Sequence, residues 1–416
     1  MLYLRLLRIS LNKNKLKFSS IYIVITAIAI AFTSCKKNEV EVPATYTFER
    51  EGETTVSFIG QTQRIAMAEE LIAELKNPTK TAEALLQIYA NVTATGEDAN
   101  PFIEQALNQS TKSIKSKVAA SKDFFSTNTT EAAQIKTDFE TWMNAQVNEI
   151  FTSRNELAAP GKAGQIADGT SARYVNAKGL EYNQAISKGL IGALMVDQIL
   201  NNYLSIAVLD EADNKALNNA ATVIDGKNYT TMEHKWDEAY GYLFGAASNA
   251  ANPFIEIADD SFLYKYLMRV NDDEDFSNFA KDIYNAFKLG RAAIIEGNYE
   301  LRDEQANLIR DLISQVVAIR AIYYLQQGKK ALPTNDSNNY GPAFHDLSEG
   351  YGFIYSLRFT RKPNTMEPYF TKVEVDSYLN ELQKGNGFWE VDATTLDDIS
   401  NKIAVKFSFT VAEAAE

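Results

Sequence analysis

The sequence predicts an all-α protein, a duplicated helical bundle with a short β-hairpin near its N-terminal end. Three observations carry this. Apolar residues recur at three- and four-residue spacing through most of the chain, as in 61–76, where Ile65, Ala68, Leu71, Ile72 and Leu75 share one stripe. Strand-like alternation is confined to 46–50 and 54–58, around Glu51-Gly52-Glu53. Two stretches, beginning at His234 and His345, repeat the pattern His-x-x-x-Glu-x-Tyr-Gly-aromatic-aliphatic, and they hold the only two histidines of the chain.

Taken in order, residues 1–34 read as a lipoprotein signal peptide. Arg5, Arg8, Lys13, Lys15 and Lys17 form a basic region without an acidic residue, and 21–32 is an apolar run too short for a lasting membrane span. The run ends Phe32-Thr33-Ser34-Cys35, and Cys35 is the one cysteine in the chain, so cleavage before it and lipidation of its thiol are expected. Residues 35–45 are a polar tether. Then come the hairpin and a first helical half over 46–250, and a second helical half over 251–416.

Within the first half, 61–76, 82–90, 102–107, 112–125 and 131–151 read as helices, and the Gly/Ala-rich 158–172 as a loop. Residues 181–208 are apolar on more than one side and read as the central helix. In the second half, 259–266, 275–289, 302–327, 373–383 and 395–407 read as helical, and 411–416 as a frayed tail.

Cleavage would remove five basic residues, leaving 36 against 54 acidic ones and a mature net charge of −18. A surface that acidic excludes nucleic acid as a partner and disfavours anionic lipid. Membrane contact would come through the N-terminal lipid. With its cysteine lipidated, the chain has no thiol for a disulfide or a thiolate metal site. Its roughly 380 mature residues must be held by a core.

The paired stretches carry the candidate chemistry. Thr230 and Glu233 form a capping box, and Gly341-Pro342 opens the second helix with Pro at its first position. His and Glu four residues apart share a helix face, and Gly241 and Gly352 extend that face where a missing side chain admits another backbone. If the two faces meet, His234, Glu238, His345 and Glu349 make a ligand set suited to iron, zinc or manganese. Asp237 would be a further ligand or would orient His234. Trp236 lies in the same stretch. Asp197, inside the central helix, needs a partner if buried. It reads as a ligand, as an orienter of His234, or as a satisfied structural residue. The same spacings also suit plain packing, with an intrahelical His–Glu pair and glycines at helix crossings.

The chain has no Gly-x-Ser-x-Gly elbow, phosphate loop, dinucleotide fingerprint or His-Glu-x-x-His. A hydrolase would have to use His234 with Asp237 or Glu238 on a bound water.

The segments Thr47-Phe48-Glu49-Arg50, Arg173-Tyr174-Val175-Asn176-Ala177-Lys178-Gly179 and Glu233-His234-Lys235-Trp236-Asp237-Glu238-Ala239-Tyr240-Gly241 resemble an uncharacterised family of Bacteroidota lipoproteins that carries a domain of unknown function. More remotely, the chain is similar to imelysin-like proteins, duplicated helical bundles of the bacterial envelope linked to iron uptake. Their Gly-x-His-x-x-Glu motif is matched at His234, but Met232 and Asp237 replace its Gly and Glu, and Ala343 and Ser348 do so in the second stretch.

This resemblance implies an outer-membrane-anchored lipoprotein that binds a metal ion or metal complex between two helical repeats and works with an envelope uptake partner. The alternative expectation is a scaffold that binds a non-metal ligand or a partner, its paired His/Glu motif structural.

Overall fold

A computed structural model describes residues 40–255, 260–333 and 339–416. The leader and the first part of the tether, 35–39 with Cys35, lie outside these.

The N-terminal hairpin is small, with β1 (Glu49–Arg50) paired antiparallel to β2 (Glu53–Thr54). Helices follow: α1 (Ile59–Glu74), α2 (Ala82–Ala90), α3 (Gln105–Asn108), α4 (Lys122–Phe125) and α5 (Thr129–Ala145). A π-helical turn, Gln146–Phe151, continues α5. The expected helix over 112–125 is shortened to its last turn. The buried Asp197 carboxylate accepts the Ala120 and Ser121 amides at 3.1 and 3.0 Å, and the Ala119 amide donates to the Ala193 carbonyl. These contacts pull the chain into a turn and override its helical spacing.

The Gly/Ala-rich stretch is not a plain loop. It contains a second hairpin, β3 (Gly164–Asp168) and β4 (Ser171–Val175), with Asp168 opposite Ser171. Gly169, at the first turn position, takes φ +59°, a conformation that glycine adopts without a Cβ clash.

The central helix runs as α6 (Tyr182–Leu190) followed by two π-helical segments, Ile191–Val196 and Ile199–Tyr203. Its wider turns free backbone groups for neighbours, and the Gly192 amide donates to Ser356 Oγ. Short α7 (Ile206–Leu209) and α8 (Asn214–Asn219) lead to α9 (Thr231–Phe244), which bears His234 and opens with the expected Thr230/Glu233 capping box. Then come α10 (Leu263–Asn271), α11 (Phe279–Ile295) and the 33-residue α12 (Tyr299–Ala331). His345 lies on α13 (Gly341–Ser356), whose cap is Tyr340, one residue earlier than expected. α14 (Lys372–Leu382) and α15 (Ala393–Ala404) follow. The C-terminal tail is docked: Ala414 is buried, and Gln327 on α12 donates to the Ala415 carbonyl.

The molecule is mostly helical, and α12 is its spine, packed against α11, α13 and α15. α6 lies on α13, while α1 and α11 lie on α9. Helix packing thus runs across the expected 250/251 division, and Val40–Glu416 form one unit. No helix among the described residues is long and apolar enough to cross a membrane.

Candidate functional site

The polar residues of α9 are taken up by the N-terminal segment. Asp237, fully buried, accepts the Tyr46 hydroxyl at 2.8 Å, the Arg291 Nε at 3.0 Å and the Ser57 amide at 3.2 Å. Burial pushes its carboxyl up to about 6, against the pull of Arg291. Glu233 accepts both terminal nitrogens of Arg50 and one from Arg291. Burial raises that carboxyl as well, but the two arginines and the Thr230 amide carry it below the ordinary range.

His234 is placed by the same segment. Its Nδ1 donates to the Ser57 carbonyl at 3.0 Å, and its ring stacks on Tyr229. Burial, the largest effect, depresses its pKa. Glu238 accepts from Gln61 and pairs with Lys235, and His234 Nε2 lies 4.0 Å from it. Trp236 donates to the Phe287 carbonyl and lies flush against Gly290, where an added Cβ would come within 2.1 Å of the ring. At Gly241 an added Cβ would strike Phe58.

On α13 the surroundings differ. His345 Nδ1 bonds Glu181 at 2.9 Å, and its Nε2 lies 3.9 Å from Glu349. Burial lowers the His345 pKa, but the Glu181 bond and charge outweigh it and the net shift is upward. Glu349 forms a buried ion pair with Lys188 at 3.1 Å. Burial raises its carboxyl, yet Lys188 and His345 bring it below the ordinary range. Gly352 crosses α6 closely, with Lys188 Cβ 2.5 Å from where its own Cβ would be.

The His234–Glu238 and His345–Glu349 pairs therefore have different neighbours. Among the described residues no three His, Cys, Asp or Glu side chains are grouped to hold a metal ion. The expected meeting of His234, Glu238, His345 and Glu349, with Asp237, is not found there, because the N-terminal segment and α1 cover one face and α6 covers the other. Asp197 touches neither histidine. It bonds the turn at Ala120 and Ser121, and burial raises its pKa to about 6.

What does form is a cationic groove. A cavity of about 270 Å³ is lined by His345, Glu349, Lys188 and Arg173, with Lys265 and Arg269 from α10. It shares Lys76, Arg173 and Gln184 with a neighbouring cavity of about 380 Å³ whose lining includes Leu75, Ile150, Phe151 and Tyr174. The joint lining holds six Lys or Arg residues against two carboxylates, Glu181 and Glu349. Lys188 pairs with Glu349 and Arg173 with Asp168. Arg269 donates to the Tyr324 hydroxyl at 2.9 Å.

A family model described as "Domain of unknown function (DUF4856)" matches residues 43–410. The chain belongs to that family. The DUF4856 match takes in both histidine helices and the whole groove lining. No curated protein and no solved structure matches the chain.

Sequence reasoning singled out His345 and Glu349 but missed Lys76, Arg173, Lys188, Lys265 and Arg269. A signal existed for Lys188. It sits inside the same apolar helix as Asp197, and the rule that a buried charge needs a partner applies to it equally.

Proposed function

We propose that this chain is a lipid-anchored binding protein of the cell envelope that holds an anionic, partly apolar small molecule in the groove beside His345. The observation carrying this is charge: six cationic side chains and a histidine with a raised pKa line one groove in a chain of net charge −13. A carboxylate or phosphate head fits the end formed by Lys188, Lys265, Arg269 and His345. An apolar body fits along Leu75, Ile150, Phe151 and Tyr174. Glu349 holds Lys188 in place, and Glu181 holds the imidazole.

Anchoring rests on the basic leader, its short apolar run and the lone Cys35, and the resemblance to Bacteroidota lipoproteins agrees with it. A repeat origin for the two histidine helices, as in imelysin-like bundles, has matching contacts in its favour. Trp236 meets Gly290 and Leu347 meets Gly328, each two residues after its histidine, and Gly241 and Gly352 each meet a crossing segment. In this reading the paired motif is chiefly architectural, and only the second copy borders a ligand.

The test is calorimetric titration of the mature protein with decanoate, acetate and inorganic phosphate. Decanoate is expected to bind more tightly than acetate, with affinity falling as salt rises. Arg269→Glu and Lys76→Glu, both at exposed positions, should each weaken binding about tenfold. Failure of all three probes to bind, or binding indifferent to both charge reversals, removes the proposal.

A further inference from the structure

A second cleft shares no lining residue with the cationic groove. α5, α13 and α14, with the turn after α13, enclose about 460 Å³ lined by Trp142, Tyr351, Asp138, Arg358, Asp376 and Asn380, among others. Such a volume lies within the roughly 300–1,000 Å³ of small-molecule sites, but the chemistry here is different.

Trp142 is half-buried, its ring edge-on to Tyr355 at 5.1 Å and to Tyr351 at 6.2 Å. The neighbouring rings hold the indole in a fixed orientation. Asp138 accepts the Tyr355 hydroxyl and the Gln134 amide, both at 2.9 Å. Arg358 is only 6% exposed. One of its terminal nitrogens donates to Asp376 at 2.9 Å, while its buried Nε makes no hydrogen bond. That nitrogen is closed off beside the Tyr355 ring, over which the guanidinium lies at 4.3 Å, so it is the rest of the guanidinium that borders the cleft.

Charge and hydrogen-bonding capacity narrow the ligand class. Arg358 and Lys372 both pair with Asp376, and Asp138 accepts from the neutral Tyr355 and Gln134, so two cationic and two anionic side chains stand at the cleft. The cleft therefore favours a neutral molecule, unlike the groove. It combines acceptors, the two carboxylates, with donors, the guanidinium and the exposed Gln134 and Asn380 amides. Hydroxyl groups both give and take hydrogen bonds, and an aromatic face takes up C–H surface. A pyranose ring has both features.

We infer that this cleft is a saccharide subsite, taking one neutral hexopyranose unit with its C–H face on Trp142 and its hydroxyls on Asp138, Arg358 and Asn380. It is independent of the anion groove and stands whether or not that groove binds.

The experiment is titration of the mature protein with glucose, galactose, mannose, N-acetylglucosamine, maltose and cellobiose, followed by tryptophan fluorescence and by calorimetry. At least one sugar is expected to bind in the millimolar range. Trp142→Ala should weaken it about three- to tenfold, and Asn380→Ala a few-fold. Arg358→Lys, which keeps the charge but loses the planar guanidinium, should also weaken it. Circular dichroism checks folding. If Trp142→Ala does not fold, the exposed Asn380→Ala and Gln134→Ala decide. No binding by any of the six sugars, or equal binding by the folded variants, overturns the inference.

Discussion

The two histidine helices begin from nearly the same sequence pattern and end in different surroundings. On α9 the acidic face is consumed by the chain's own N-terminal segment. Tyr46, Arg50 and Ser57, with Arg291 from α11, engage Glu233 and Asp237. On α13 the corresponding face lies against α6 and borders a groove of cations. The lesson is that a repeated pattern fixes the helix and its crossings, while its neighbours decide whether the polar residues act as fasteners or border a site.

The largest break in this comparison is Arg291→Met. It leaves Glu233 and Asp237 buried without their main partner, and a loss of about 3–5 kcal/mol is expected, measured by urea denaturation. Lys188→Met, the counterpart on the α13 side, should cost less, about 2 kcal/mol, because His345 still faces Glu349. Equal losses would mean that the two faces are held alike.

Next come the crossings. Gly241→Ala and Gly352→Ala each insert a methyl group where a neighbouring Cβ lies at 2.3 and 2.5 Å. Each should destabilise by about 1–3 kcal/mol, read from the same denaturation curves. A neutral result at either would mean that its crossing helix can shift aside freely.

The smallest effects concern the histidines, whose pKa values move in opposite directions from the ordinary 6.5. For His345 the folded value is raised, so its contribution to stability is complete below 6.5 and is lost as pH rises through the folded value. For His234 the folded value is depressed, so its contribution is complete above 6.5 and is lost as pH falls through the folded value. Proton NMR of the two imidazoles, assigned with His234→Gln and His345→Gln, reads both directly. An anionic ligand in the groove should raise the His345 midpoint further and leave His234 unmoved. The reverse would misplace the site.

Much of this was legible beforehand. Helical periodicity located the main helices, and residues 82–90 agree with α2 to the residue. The Thr230/Glu233 box was readable because capping is local chemistry. The second hairpin was missed, although Asp168-Gly169 is a turn signal and Ile166, Tyr174 and Val175 are strand formers. The small residues on either side of it masked the alternation. The false helix over 112–125 could not be corrected from its own residues, since what bends it is Asp197, more than 70 positions away. The groove was hidden for a related reason: its cations come from the turn after α1, the turn after the π-helical end of α5, β4, α6 and α10, and no stretch of sequence brings them together.

The fastening of the N-terminal segment also bears on the order in which the chain can be completed. Tyr46 meets Asp237 across 191 positions, and Thr55 meets Arg291 across 236. During synthesis, this early segment has to wait for partners made much later. Contacts of such long range slow folding and leave early segments exposed. Tyr46 and Phe48, both buried in the finished protein, would be the apolar surface on offer in the meantime. A chaperone acting on the growing chain would meet them early, and the molecule would close only when α11 arrived.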